Sequence, residues 1–409
     1  MIRLPKSVDT VIIGGGVLGT SAAFHLTDAG HSSVALIDRG PIASGTTPQA
    51  AGQTGYLNVD RFAFEFGRYC IEFFENFEQR TGHAIDFRQT GSLRVALTKK
   101  YQNDLTARLQ AATDLEGDVE FISAERAREL VPTFQPQEDS QILLIPRDGY
   151  VEPKSVAVAY AAAARDRGAA FHTRVNATGL IVSNGRVTGV RTSEGSIEAN
   201  WVVLAAGAWT RQFAQQHGLN LRTVPVRHQA FVTTPIADVL PNQPIVRFTE
   251  PQLYVRHEAG GLLVGGYGYR PLSFDMNDFD RKFEIAALEA DPVYYQQLRD
   301  QTKKFFPALG SATIVQERRG LPTVSPDGRL VLSEPDGLKG LVVLSACGVG
   351  GIDRSPGAGR IVADIICDRQ PWIDPAVLSV DRFGDQFSND ASLRAQCEEI
   401  YAHHYHETY

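Results

Sequence analysis

Residues 10–30 read TVIIGGGVLGTSAAFHLTDAG, and residues 33–40 read SVALIDRG. Thr10 to Ile13 form an apolar, β-branched run that stops at Gly14. Gly14, Gly16 and Gly19 then stand in G-x-G-x-x-G spacing, and Leu18, Ala22, Ala23 and Leu26 continue at helical period. A second apolar run, Val34 to Ile37, closes on Asp38. The spacing predicts a strand, a tight turn, a helix and a second strand ended by an acid. Gly14 permits the sharp turn, Gly16 lets a pyrophosphate approach the backbone, and Gly19 lets helix and strand pack closely. The helix N-terminus offers unpaired N–H groups to phosphate oxygens. Asp38 stands where a carboxylate meets the ribose hydroxyls of an adenosine. The pattern names a dinucleotide without separating FAD from NAD.

Composition bounds the rest. The chain has 409 residues, 43% hydrophobic and 21% charged, as in ordinary globular proteins of two or three structural units. A net charge of -7 argues against a nucleic-acid partner. No stretch has the length and apolarity of a transmembrane helix, so no membrane partner is expected. The opening MIRLPKSVDT enters the first strand almost at once and leaves no room for a signal peptide. Cys70, Cys347, Cys367 and Cys397 lie far apart and form no C-x-x-C pair. They read as reduced thiols of a cytoplasmic protein with no metal site.

PIASGTTPQAAGQTGYLN (41–58) is rich in small residues and reads as a loop lying against something. Phe62, Phe66, Tyr69, Phe73, Phe74 and Phe77 place an aromatic stripe on a helix over about 61–80, the mark of a buried helical face. Residues 99–130 read as helical and charged. QILLIPRDGYVEP (141–153) gives a strand and a turn, and SVAVAYAAAARDRG (155–168) a helix. A run of short strands ends in a buried strand, Trp201 to Leu204, that meets Ala205-Ala206-Gly207. From about 221 to 315 the pieces read as antiparallel strands with turn signals, a roof over the site. A last strand, glycine turn and helix follow, the helix starting near Arg354 to Pro356 with proline in its first turn. The tail, 391–409, reads as helical and then frayed. Nucleotide-binding segments thus recur at the beginning, middle and end, with a different sheet inserted between them.

These residues resemble the D-amino-acid-oxidase-like flavoproteins, and most closely the FAD module of sarcosine and dimethylglycine dehydrogenases. GGGVLG with Asp38, SGTTPQAAG (44–52), DGYVEP (148–153), WVVLAAGAW (201–209), GLPTVSPDG (320–328) and GIDRSPGAGR (351–360) carry the likeness, which spans essentially the whole chain. The resemblance implies an α/β fold: a glutathione-reductase-type, Rossmann-like FAD-binding domain interleaved with an antiparallel-sheet α+β substrate domain. The expected division is 1–84, 146–220 and 320–409 for FAD, with 85–145 and 221–319 for substrate. It assigns FAD contacts to Gly14, Gly16, Val17, Gly19, Asp38, Arg39, Ser44, Thr46, Thr47, Gln49, Ala51, Gly52, Val175, Ala206, Gly207, Trp209, Gly350, Gly351, Ile352, Arg354 and Ser355. A helix N-terminus near Ser355 would favour the anionic reduced ring. In those dehydrogenases the SGTT loop carries a histidine bonded to the flavin; here Pro48 and Gln49 replace it. Relatives with a cysteine linkage carry it where this chain reads Arg-Gly-Leu-Pro. FAD is therefore expected without a covalent bond.

The same resemblance sets His228 (in VRHQAF) and Tyr254 (in LYVRHE) by the substrate. Both fall in expected roof strands, and a histidine helped by a tyrosine can handle the proton of an amine. Arg256 and Arg354 are candidates for gripping a carboxylate through a bidentate guanidinium. Amino-acid-oxidising relatives often carry an arginine in a G-L-R-P motif; this chain has Gly320-Leu321-Pro322, which leaves the carboxylate anchor unassigned. The expected function is oxidation of the C–N bond of a small secondary or tertiary amine, such as sarcosine or dimethylglycine. Hydride passes to the flavin, and the imine is then hydrolysed. The electrons go to dioxygen or another acceptor. Two alternatives stay open: oxidation of a primary amino acid or 2-hydroxy acid, and a flavin subunit of a hetero-oligomeric electron-transfer complex.

Overall fold

Strand Ser7–Ile13 is the hub of an eight-stranded sheet. In the computed structural model, which describes residues 4–114, 117–268, 270–280 and 282–403, it pairs in parallel with Val34–Asp38 on one side and Gly195–Leu204 on the other. The order across the sheet is Val331–Ser333, Leu341–Ser345, Gly195–Leu204, Ser7–Ile13, Val34–Asp38 and Ala170–Thr173. Arg186–Thr192 and Ala177–Ser183 extend it as antiparallel neighbours of Gly195–Leu204. The strand expected at Trp201 to Leu204 therefore begins six residues earlier, at Gly195. Val11, Ile12, Val202 and Val203 are wholly buried, because a parallel sheet must be covered on both faces.

One face carries helices Val17–Asp28, Pro153–Asp166 and Gly351–Ile366, with helix Arg61–Thr81 packed against them. Asp60 caps that last helix by accepting from the Ala63 N–H, and Gly82 ends it in the left-handed region at φ 76. Its stripe points inward as the periodicity requires. Phe66, Phe73, Phe74 and Phe77 are buried, and Phe73 and Phe77 meet Phe24 and Tyr160 edge-on or tilted. Phe62 and Tyr69 are half-buried, Tyr69 against Trp372.

Helix Gly351–Ile366 starts earlier than the sequence spacing predicts, so Pro356 is its sixth residue rather than part of the first turn. Pro356 has no N–H for the Ile352 carbonyl, and the Ser355 hydroxyl donates to that carbonyl instead, at 2.8 Å. The helix lies hard against its neighbours. A Cβ on Gly357 would press on the Phe66 ring, and one on Gly359 would overlap Ser21 and His25 of helix Val17–Asp28. The Ser21 hydroxyl donates to the Ser355 carbonyl at 2.6 Å across the same contact.

The second eight-stranded sheet runs Ile314–Gly320, His228–Thr233, Gly261–Gly266, Leu253–Glu258, Ile245–Phe248, Ser92–Ala96, Gln141–Ile145 and Glu120–Ile122. It is antiparallel except where Ile245–Phe248 runs parallel to Ser92–Ala96. The stretch 99–130 is not one helical region. It holds helices Lys99–Asp114 and Ala124–Leu130 with the edge strand Glu120–Ile122, which Gln141–Ile145 recruits by pairing. Leu93, Val95, Val246, Phe248, Val255 and Val264 form one face, packed with Tyr294, Tyr295 and Leu298 of helix Pro292–Thr302. The chain visits the first sheet at 7–38, 170–204 and 331–345, and the second at 92–145 and 228–320.

Helix Asp390–His403 closes the described chain, and its Leu393, Cys397 and Tyr401 pack with Tyr254 and Tyr267. The fraying expected after it falls on 404–409, outside the described residues. Among the described residues no helix is long and apolar enough to cross a membrane.

The helix contact at Gly359 sets an expectation. Gly359→Val forces the two helices apart and is expected to cost about 2 kcal/mol by overpacking, read as a lowered midpoint in thermal or urea unfolding.

Candidate active site

The turn after strand Ser7–Ile13 is built of glycine by necessity. Gly14 has φ +116, and a Cβ there would overlap the Ala205 carbonyl oxygen; a Cβ on Gly19 would overlap the Gly14 carbonyl. Gly19 thus presses helix onto strand and faces no cavity. Gly16 differs: a Cβ on it would meet only Thr47 Oγ1, at 3.4 Å. It precedes helix Val17–Asp28, whose first N–H, on Val17, donates to Thr47 Oγ1 at 3.0 Å. Asp38 ends the neighbouring strand, its Oδ2 accepting from Gly15 N–H and its Oδ1 from Gly40 N–H, both at 2.6 Å. Burial pushes its carboxyl above the ordinary range despite these two donors. The Arg39 guanidinium lies over the Trp209 ring, 3.9 Å from its centroid, and donates to the Phe283 carbonyl.

A cavity of about 1280 Å³ runs from this turn to the second sheet. Every residue assigned to FAD from the sequence lines it except Gly19 and Ser355. Ser355 is fully buried, its hydroxyl bonded to the Ile352 carbonyl and within 3.2 Å of Tyr160 Oη. The helix N-terminus at the cavity is Gly351, with Gly350 as its cap. Asp353, in that first turn, also lines the cavity; burial pushes its carboxyl up to about 6, and Gly55 N–H donates to it.

The loop 44–52 is stapled on both sides. Thr46 Oγ1 accepts from Leu321 N–H and Gln49 Oε1 from Arg319 N–H. The carbonyls of Ala50 and Ala51 accept from Arg318 and Arg256. This takes Arg256 out of the substrate role that its sequence context suggested. Its side chain is 2% exposed, absent from the cavity wall, and tied to Ala51, the His257 carbonyl and Glu258, which also holds Arg318. Arg256 secures the loop.

The cavity face of the second sheet follows from strand register. Arg94 pairs with Arg247, Arg247 with Tyr254, Tyr254 with Gly265 and Gly265 with Ala230. Paired residues share a face, and so do residues two apart on one strand. Arg94, Arg247, Tyr254 and His228 therefore stand together, and all four line the cavity with Tyr267. A Cβ on Gly265 would overlap the Tyr254 hydroxyl, so this glycine clears the space through which Tyr254 reaches His228. His228 Nε2 is 2.9 Å from Tyr254 Oη and its Nδ1 is 2.8 Å from Tyr401 Oη. Burial pushes the imidazole down to about 4, so it is neutral at neutral pH.

The sequence reading brought His228 and Tyr254 forward and missed Arg94, Arg247, Tyr267 and Tyr401. The alternation in SLRVA and IVRF was the available signal for the two arginines. Arg354 lines the cavity at the opposite, helical wall.

A family model for FAD dependent oxidoreductases (DAO) matches residues 9–365. The chain belongs to this DAO family. A 4-methylaminobutanoate oxidase (formaldehyde-forming) of Paenarthrobacter nicotinovorans is 28% identical over 406 residues, 98% of this chain and 49% of that protein. The mitochondrial dimethylglycine dehydrogenase of Homo sapiens is 30% identical over 405 residues, 96% of this chain and 46% of that one. The chain spans about half the length of these curated relatives. The crystal structure of L-proline dehydrogenase from P. horikoshii shares the fold, with a TM-score of 0.84, 22% identity and coverage of 93% of this chain and 98% of that chain.

FAD is the cofactor of DAO-family proteins, and the residues here fit it. The open Cβ position of Gly16 and the helix N-terminus beside it suit a pyrophosphate. The cavity is larger than a site for one drug-sized ligand, about 300–1,000 Å³, leaving room for a substrate beside a dinucleotide.

Two outcomes are expected. Gly16→Val fills the approach to the helix N-terminus while meeting little protein, so the variant folds but retains at least about tenfold less flavin by visible absorbance. The second concerns acid. Burial pushes both His25 and His228 down to about 4, from the 6.5 of a free imidazole. The unfolded chain takes up these protons first, so stability falls as pH drops from 6.5 towards 4, by about 3 kcal/mol per imidazole. His228→Asn should flatten the pH dependence of the unfolding midpoint in that window.

Proposed function

We propose that this protein oxidises the C–N bond of a small secondary or tertiary amine, an N-methyl amino acid such as sarcosine or dimethylglycine, with FAD held non-covalently. The observation that carries the reading is the buried, neutral His228 pinned between Tyr401 and Tyr254 on the cavity wall. Bound FAD supplies the acceptor for the hydride that leaves the carbon next to nitrogen.

The chain's own residues manage the amine's proton. A neutral imidazole has one donor and one acceptor nitrogen. When Nδ1 carries the hydrogen, it donates to Tyr401 and Nε2 accepts from the Tyr254 hydroxyl. The Tyr254 oxygen then keeps its lone pairs for an N–H of the substrate. Desolvation and the Arg94 and Arg247 guanidiniums on the same wall both favour the neutral amine, the form that can lose hydride. The imine left behind hydrolyses, to amine and formaldehyde where the oxidised carbon is N-methyl. Two of the curated relatives support this reading by name: 4-methylaminobutanoate and dimethylglycine are each a secondary or tertiary amine bearing a carboxylate. Gln49, where relatives bind flavin covalently, has its side chain engaged by Arg319 and no nucleophile to offer.

Anaerobic addition of sarcosine or dimethylglycine is expected to bleach the visible absorbance of the purified protein, and D-alanine or 2-hydroxyglutarate to leave it. Bleaching by the latter pair alone would sink the proposal; admission of air then tells dioxygen from another acceptor. Tyr254→Phe should slow bleaching by about 10²- to 10³-fold with the flavin still bound and acid-extractable.

A further inference from the structure

We propose that a second cavity, behind Arg354, is the docking site of the electron acceptor, and that this acceptor is a small quinone. The proposal goes beyond the amine reading: it rests on FAD in the main cavity and not on which substrate reduces it. The second cavity holds about 350 Å³, within the about 300–1,000 Å³ of small-molecule sites. Asn58, Ala63 and Arg354 line it and the FAD cavity alike, so the two adjoin at the helical wall. None of its described lining residues comes from the second sheet, which carries His228 and Tyr254. Amine and acceptor thus reach the dinucleotide space from different sides.

The lining selects the ligand class. Two carboxylates, Asp60 and Asp327, balance two guanidiniums, Arg329 and Arg354. Arg329 Nη2 is 3.2 Å from Asp60 Oδ2, and Arg382 grips both oxygens of Asp327 at 2.8 Å. An ionic ligand would compete with these pairs, and an uncharged one need not. Phe62 and Phe66 supply adjoining rings, centroids 5.7 Å apart, and Leu330, Leu378 and Ile400 add apolar surface. Such faces suit a flat ring. Donors stand at both ends, Arg354 and Asn58 at the junction with the FAD cavity, Arg329 and Gln396 away from it. A guanidinium has five N–H donors and an amide two. The bond from Arg329 to Asp60 and that from Gln396 to the Pro326 carbonyl therefore leave donors over. A quinone meets this lining with an uncharged ring and a carbonyl acceptor at each end.

The Arg329 and Asp60 side chains are 38% and 40% exposed, so their pair marks the edge at which the cavity meets solvent. Dioxygen would need neither the rings nor the donors. The redox balance closes with the quinone as co-reactant. In one turnover the amine loses a hydride and a proton and becomes the imine. The quinone gains two electrons and two protons, one at each oxygen, and leaves as the hydroquinone. Gln396 and Ile400 belong to helix Asp390–His403, which also carries Tyr401 to His228. One helix thus borders the acceptor's cavity and supports the amine's wall.

Tetramethyl-1,4-benzoquinone, with no ring hydrogen for a thiol to displace, is the probe. Added to the oxidised holoprotein, which cannot reduce it, the quinone should raise the unfolding midpoint. Holoprotein reduced with dithionite should then be reoxidised anaerobically at a rate that saturates with quinone concentration. Gln396→Trp overfills the cavity and should raise the half-saturating concentration by at least about tenfold. Phe62→Leu removes one ring and should raise it by about three- to tenfold; the change is conservative and guards against a variant that fails to fold. Both should keep wild-type flavin content, bleaching by amine and reoxidation by dioxygen. A rate linear in quinone, or no rise in midpoint, overturns the site, and so does wild-type behaviour of both variants. Equal slowing of reoxidation by quinone and by dioxygen overturns it too, since the cavity is then a general passage. Because dithionite supplies the electrons, failure of every amine to bleach the flavin would discard the amine reaction and leave this test standing.

Discussion

Helices Val17–Asp28 and Gly351–Ile366 meet almost backbone to backbone at Gly359, and the cavity depends on that contact. A side chain there would separate them. Held together, they bring two N-termini, at Gly16 and at Gly350, to one wall. Each end carries partial positive charge and N–H groups without intrahelical partners. Strands Ser7–Ile13 and Gly195–Leu204 deliver their carboxyl ends to the same place, where open α/β sheets bind ligands. One wall is thus an electropositive cradle made of backbone, and it needs glycine more than it needs any particular side chain.

The opposite wall works by side chains, and a different periodicity governs it. Strand residues alternate between an apolar layer over helix Pro292–Thr302 and the cavity. Each strand can thus give Val or Phe to the core and Arg, Tyr or His to the site without conflict. Gly265 interrupts the polar row, and its missing side chain is what lets Tyr254 lean across to His228. The loop 44–52 joins the two walls, bonded to the first helix through Thr47 and to the second sheet through Ala50 and Ala51.

The cradle was legible in the sequence because its parts are local. Gly14, Gly16, Gly19 and Asp38 lie within one strand–helix–strand unit, and their spacing alone carries the geometry. The side-chain wall was less legible because it is assembled by pairing. Arg94 and Tyr254 are adjacent only through Arg247, two strands apart in space and far apart in the chain. Arg256 and Arg247 look alike in sequence, both arginines in short apolar strands. Their fates differ because Arg256 meets Glu258 and the loop carbonyls while Arg247 faces the cavity. The start of the last helix was misplaced for a related reason. Proline is read as a first-turn residue, and nothing in the sequence announces that Ser355 takes over the carbonyl that Pro356 cannot serve.

Tyr401 holds the Nδ1 side of His228 from 173 residues further along the chain. A ribosome that has already made both sheets has still not made the partner of that imidazole. Until helix Asp390–His403 emerges and docks, the ring has Tyr254 at Nε2 and no hydroxyl at Nδ1. That one hydrogen bond ties the wall of the cavity to the last helix of the described chain, so a chain trimmed before Asp390 would strip His228 of one of its two hydroxyl partners.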